Sequence, residues 1–407
     1  MAERGFYVGI DLDDTYAVVS FYEDGVKEPA TVSMQAGSEV FQIPLCVGKK
    51  KGLGQWFVGE EAINCGEEAT VIYQLLGKAR AKEELIIEKE SFYAEDLLLL
   101  FLKKVTSYIG GPYGAITICN LAFSVEKLDL ELSRLLFRIG EQLGLRKEQM
   151  ILLDRKSAFY YFVLNQPKEL WNHDVCLFDY RDDAVKCLRM GRNMSTIPQL
   201  VRIEEQELEL TPDVKDEEFA VMLQKILNGR IVSSAYLVGD GFDGGWMKQS
   251  LGILCRGRRA FMGKNLYAKG ACYAIMVLKG GMVWPYAYIG DNEMKVNVSL
   301  AVKNRLTKEF YTLLSAGDNW YEASGCCEVI LDDTREIAIW IQLPDSKTAN
   351  VQKLELVDLP ERENKTTRMR ITVTPLSDRE VKVELRDLGF GEIVKSQDKH
   401  WEYRMSM

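Results

Sequence analysis

Apolar and polar positions along the chain follow two regimes. Residues 6–22, FYVGIDLDDTYAVVSFY, run as an apolar strand, an acidic turn and a second apolar strand. That order predicts a hairpin with Asp11, Asp13 and Asp14 at its tip. The pattern returns at residues 174–190, DVCLFDYRDDAVKCLRM, with Asp179, Asp182 and Asp183 at the tip, and predicts that one supersecondary unit occurs twice. Mixed strand and helix patterns follow each hairpin. They include an amphipathic helix near Tyr93 to Ile109, the strand AITIC at Ala115 to Cys119, and a helix over Val125 to Leu143. The last of these lines Leu128, Leu132, Leu135, Leu136 and Ile139 along one face, with Gly144 as its C-cap. Two similar α/β lobes are expected.

The strand AYLVG at Ala235 to Gly239 runs into DGFDGGW, where glycines permit a tight turn and close approach by another group. Downstream, NLYAKGACYAIMVLKG predicts a helix whose Ala268, Gly270, Ala271 and Ala274 form a small-residue face, suited to packing close against a neighbour. From about Lys295 the regime changes to short alternating runs, MKVNVSLAV, EIAIWIQL, RMRITVTPL and EVKVELRDLG, separated by turn residues. These predict an all-β domain. The Pro- and Gly-bearing segment Trp284 to Glu293 marks the boundary. The expected division is a two-lobed domain over 1–284 (lobe I about 1–168, lobe II about 169–284) and a β-sandwich over 295–407.

Length agrees with more than one domain, because single cores stop growing near about 250 to 300 residues and the chain has 407. Its longest apolar run, Leu97 to Leu102, falls far short of the roughly 20 residues of a membrane span. No membrane partner is expected. The first residues enter a strand pattern without a basic or apolar leader, so the expected location is cytoplasmic. Nine cysteines lie scattered without metal-ligand spacing, and His173 and His400 are the only histidines, which argues against zinc sites and histidine-based hydrolase triads. A net charge of −9 disfavours nucleic acid as a partner. The basic stretch Arg256, Arg258 and Arg259 is short and reads as a solvated loop.

Several segments, in order, resemble the actin and DnaK-type heat-shock chaperone superfamily. GIDLDDT at Gly9 to Thr15 resembles the family's first phosphate-binding hairpin, GIDLGTT. VGEEA at Val58 to Ala62, LLGKAR at Leu75 to Arg80, AITIC, and LLDRKSAFYYF at Leu152 to Phe162 follow in the family's order. LFDYRDDAV at Leu177 to Val185 stands where the family has its second glycine-rich hairpin. LVGDGFD at Leu237 to Asp243 resembles the adenosine-side motif, and NLYAKGACYA the helix after it. Residues 353–392 are similar to the chaperone's peptide-binding sandwich. The resemblance implies a duplicated actin-like, ribonuclease H-like domain followed by a β-sandwich. It also implies a cleft lined by Asp11, Asp13, Asp14, Thr15, Asp179, Asp182, Gly239 and Gly241, with Asp11 and Asp179 as its metal positions.

The departures from the family shape the functional expectation. Asp13 and Asp14 replace a glycine and a threonine of the first turn, and Arg181, Asp182 and Asp183 replace the glycines of the second. Backbone amides in open turns cradle phosphates. Carboxylates there oppose them, by roughly 1 to 4 kcal/mol per charge pair about 4 Å apart. Tyr73 stands where the family has its catalytic lysine, Arg155 where it has a glutamate and Lys186 where it has an aspartate. The short span from the second hairpin to LVGDGFD leaves no room for the family's helical clamp. The helical lid and leucine-rich linker are also missing from the pattern. The expectation is a chaperone-like protein with a degenerate nucleotide site. It would act as a pseudo-ATPase scaffold for a protein or peptide partner, with no cofactor and no catalytic residue. One alternative is a chaperone with weak metal-dependent ATPase activity that binds ATP or ADP with Mg²⁺; a second is an actin-like assembly protein. On the plainest reading, Asp13, Asp14, Asp182 and Asp183 are solvated turn residues.

Overall fold

Uninterrupted apolar runs become central strands when both faces of a sheet are covered, and Gly5–Leu12 does so in the computed structural model of the chain. The structure describes residues 5–35, 37–110, 116–304 and 307–406; Ala115 of the expected strand AITIC lies outside them. It is a mixed α/β protein with several sheets. Two compact units divide it, residues 1–192 with 203–284, and residues 193–202 with 285–407.

In the first unit one sheet runs Met150–Asp154, Thr117–Val125, Gly5–Leu12, Tyr16–Glu23 and Ala30–Thr31. The first three strands are parallel, and Gly5–Leu12 with Tyr16–Glu23 forms the antiparallel first hairpin. A second sheet follows the same path through Arg259–Met262, Val232–Val238, Asp174–Arg181, Ala184–Asn193 and Gln199–Glu209, the last belonging to this unit from Ile203 onward. Asp174–Arg181 and Ala184–Asn193 pair as the second hairpin, and Val232–Val238 lies parallel to its first strand. Both hairpins expected from the sequence are therefore present, each with its first strand beside a parallel neighbour.

Helix boundaries shift where a cap decides them. The helix expected from Val125 begins at Leu130, because Asp129 turns the chain and accepts a 2.8 Å hydrogen bond from the Leu132 amide; residues through Val125 remain strand. Its end is as expected: Gly144 takes φ 89°, and the Leu145 amide returns to the Gly140 carbonyl. The helix near Tyr93 spans Ala94–Ser107.

The helix Leu266–Lys279 packs through its small residues, as its sequence predicts. A Cβ on Gly9 would lie 2.4 Å from the Ala268 carbonyl oxygen, and one on Gly270 would lie 2.1 Å from that of Ala158. The helix is thus pressed onto the first sheet on one side and onto the helix Arg155–Leu164 on the other. No room exists for an added methyl at either contact, and the obstacles are backbone atoms.

In the second unit Gln199–Val201 pair in parallel with Tyr286–Tyr288. Two four-stranded sheets follow, Thr307–Leu314, Asn297–Asn304, Glu336–Gln342, Ala349–Glu355 and Gly325–Ile330, Arg368–Pro375, Glu380–Gly389, His400–Ser406. Alternate residues from both sheets, among them Val298, Ile339, Ile371 and Val383, share one core. A buried ion pair crosses this unit. Arg362 grips both oxygens of Asp387 at 2.7 and 2.8 Å, and the Gly389 and Gln397 amides donate to the same carboxylate. Burial opposes the charge, but Arg362 and the two amides outweigh it and hold the Asp387 pKa down at about 2.

Two stability tests follow from this packing. Gly270→Ala is expected to cost about 2 to 3 kcal/mol in chemical denaturation, by overpacking against backbone. Asp387→Asn is expected to cost about 3 kcal/mol near neutrality by stranding Arg362. A depressed carboxyl pKa adds stability above the unfolded value, about 4, and loses it as pH falls toward about 2. The gap in melting temperature between wild type and Asp387→Asn should therefore narrow steadily from pH 5 to pH 2.

Candidate functional site

Parallel strands present their carboxyl ends side by side, the usual position of a site in an open α/β sheet. In the first sheet those ends carry Asp11 and Asp13, Glu126, and Asp154 with Arg155. In the second they carry Asp179 with Arg181, and Gly239. The two sets meet in one ion-pair cluster.

Arg155, first residue of its helix, is the hub. Its Nε and one terminal nitrogen each donate at 2.9 Å to the two oxygens of Asp11. The same terminal nitrogen donates to Asp13 Oδ2 at 2.9 Å, and the other reaches Glu126 at 3.1 Å. Arg155 and Asp11 side chains are only 5% and 3% exposed, so the pair lies in a low-dielectric setting where partners must match closely. The Arg155 guanidinium also lies 5.2 Å from the centre of the Tyr267 ring. Tyr267 in turn donates its hydroxyl to Asp179 Oδ2 at 2.9 Å.

Asp13 divides its carboxylate between two tasks. Oδ1 accepts from the Thr15 amide, the Thr15 hydroxyl and the Tyr16 amide, which builds the turn. Oδ2 accepts from Arg155 and, at 2.9 Å, from Arg181 of the second hairpin. Arg181 also donates to Asp179 at 2.7 Å and stands over the Tyr16 ring. Glu126 bridges in the same manner, from Arg155 to Lys186.

Protonation states follow from this arrangement. Burial opposes the charge of Arg155, and Asp11 with Asp13 outweighs it and holds the guanidinium charged. For Arg181, burial and the neighbouring Arg155 are outweighed by Asp179. Burial raises the carboxyl pKa of Asp13 and Glu126, yet Arg155 at the first and Lys186 with Arg155 at the second bring both below the ordinary value. Asp11 is pulled two ways, burial pushing its pKa up and Arg155 pulling it down, with burial ahead. Two parallel 2.9 Å bonds to a charged guanidinium describe the ionised pair.

The residues expected to line a cleft fare differently. Asp11, Asp13 and Asp179 come together, though with arginine between them. Asp14 accepts the Gly77 amide at 2.7 Å and so fastens the helix Leu75–Arg80. Thr15 spends its hydroxyl on Asp13. Asp182 sits exposed at the second turn in the left-handed region, φ 50°. Gly239 and Gly241 do admit a close approach, and the approaching group is the chain itself. A Cβ on Gly239 would lie 2.2 Å from the Tyr180 carbonyl oxygen, and one on Gly241 would lie 2.3 Å from the Tyr180 ring. Tyr73, at the expected lysine position, is exposed.

Both carboxylates nominated for a metal, Asp11 and Asp179, are bonded to guanidinium groups. Among the described residues no three His, Cys, Asp or Glu side chains gather as a metal site. Sequence reading marked Arg155 and Arg181 as departures and missed them as the groups that neutralise the acids. The available signal was positional, since each arginine stands at the carboxyl end of a buried apolar strand, Met150–Asp154 and Asp174–Arg181. Arg155→Met is expected to lower stability by about 3 to 5 kcal/mol, leaving Asp11 buried and unpaired. The double variant Asp11→Asn with Arg155→Met should recover part of that loss in equilibrium denaturation.

No curated protein matches the chain. Residues 293–407 match a domain of unknown function, DUF8552. Residues 28–291, which carry most of this cluster, match the C-terminal model of a family of unknown function, and on that match the chain belongs to the DUF5716 family.

Proposed function

We propose that the protein is a chaperone-like scaffold that binds a protein or peptide partner without a nucleotide cycle. In this reading the first unit is a duplicated actin-like domain whose cleft is filled by its own side chains, and the second is a peptide-binding-type sandwich. The observation that carries it is the Asp13 carboxylate that bridges the Arg155 and Arg181 guanidinium groups. The resemblance puts phosphate and metal between the two hairpin tips, and there this chain has two arginines and their carboxylates. A nucleotide with its metal would have to break buried, charge-assisted bonds and leave charges unpaired, which costs several kcal/mol.

Three further features support the reading. The turns that would need bare amides are built from Asp13 and Asp182. Tyr180 fills the space beside Gly239 and Gly241. Between the strands Gln199–Glu209 and Val232–Val238 there is a single helix, Lys215–Leu227, in place of a clamp subdomain. A sandwich with unpaired edge strands offers backbone groups to an extended peptide, and the edge strand Thr307–Leu314 exposes Phe310 and Tyr311.

Calorimetric titration with ATP and ADP, with and without Mg²⁺, tests the nucleotide half of the proposal. The expected outcome is no heat at millimolar nucleotide. A Kd below about 100 μM, near −5.5 kcal/mol, would overturn it in favour of an ATP-binding chaperone.

A further inference from the structure

Two of the three carboxylates on Arg155 share one feature. Asp13 and Glu126 both belong to the first sheet's end of the cluster, and each makes a second bond to a cation of the second hairpin, Asp13 to Arg181 and Glu126 to Lys186. Arg181 ends one strand of that hairpin and Lys186 lies on the other. Arg155 therefore sets the position of two acids that together grip both strands. A further pair beside it, Lys156 with Glu205 at 2.7 Å, also runs from this helix to the second sheet.

We propose that Arg155, Asp13 and Glu126 form a latch that holds the second hairpin against the first sheet, and that its release opens the cleft between the sheets' carboxyl ends. The charges explain why it acts as one device. Arg155 and Arg181 repel each other at close range and are held together by the carboxylates between them, so loss of either bridge sets like charges against each other. The polar links Gln42 to Asp240 and Lys269 to Glu28 each put one partner in solvent, Asp240 and Glu28, where water and salt screen them. Arg155 with Asp13 is the shielded half of the latch, and the latch regulates access to the same cleft that the proposed function reads as closed.

The test is hydrogen exchange on the full chain without nucleotide, comparing wild type, Arg181→Gln with Lys186→Gln, and Arg189→Gln. Arg189 pairs with Asp174 and Glu204 inside the second sheet, so its loss removes a charged pair and leaves the latch intact. Expected is at least a tenfold rise in exchange at the amides of Asp11 to Tyr16 and Asp179 to Ala184 in the double variant, with the rest of both sheets still protected. The Arg189 variant should exchange at those amides as wild type does. Equal exchange in all three proteins would overturn the latch. If the double variant does not fold, Lys186→Gln alone should give a smaller rise at the same amides, and no rise would overturn the proposal equally. Nucleotide binding in the calorimetric experiment would defeat the scaffold reading and leave this exchange result to decide the latch by itself.

Discussion

The bidentate pair between Arg155 and Asp11 is the contact on which the rest of the first unit's centre depends. Two buried ions are expensive to bring out of water, and the pair is tolerable because guanidinium and carboxylate match in shape and each finds further partners. Once Arg155 is placed, its remaining donors fix Asp13 and Glu126, and these fix Arg181 and Lys186. Net stability need not come from this lattice. What it fixes is partnership, since Asp13 and Glu126 each hold one cation of the second hairpin while bound to Arg155.

Close backbone packing makes that arrangement possible. Gly9 and Gly270 let the helix Leu266–Lys279 settle against the first sheet and against the helix that begins with Arg155. This places Tyr267 between the two halves of the cluster, its ring beneath Arg155 and its hydroxyl on Asp179. A bulkier residue at either glycine would lift the helix and remove the aromatic floor of the ion pairs. Small residues in the helix and charges at the strand ends are two parts of one construction.

Much of the fold is legible in the chain because it depends on local periodicity. Both hairpins, the small-residue helix, the Gly144 cap and the alternation of the last 110 or so residues follow from patterns within about 20 positions. The helix expected from Val125 was misplaced for an equally local reason, the capping side chain of Asp129 outranking the apolar spacing. The segment 193–202 is different: it belongs with the second unit through pairing of Gln199–Val201 with Tyr286–Tyr288, far along the chain. Nothing in its composition announces that partner.

By itself the sequence determined that Asp11, Asp13, Asp179, Arg155 and Arg181 stand at or just past the ends of apolar strands. It also determined that both hairpin turns carry acids. Only the tertiary structure decided what those charges do. Pairing between residues 142 and 168 positions apart, Arg155 and Arg181 with the same oxygen of Asp13, depends on how two sheets are brought together. Charged partners so far apart leave no local pattern to read along a chain, and the energy of their pairing is set by distance and burial, which exist only after folding.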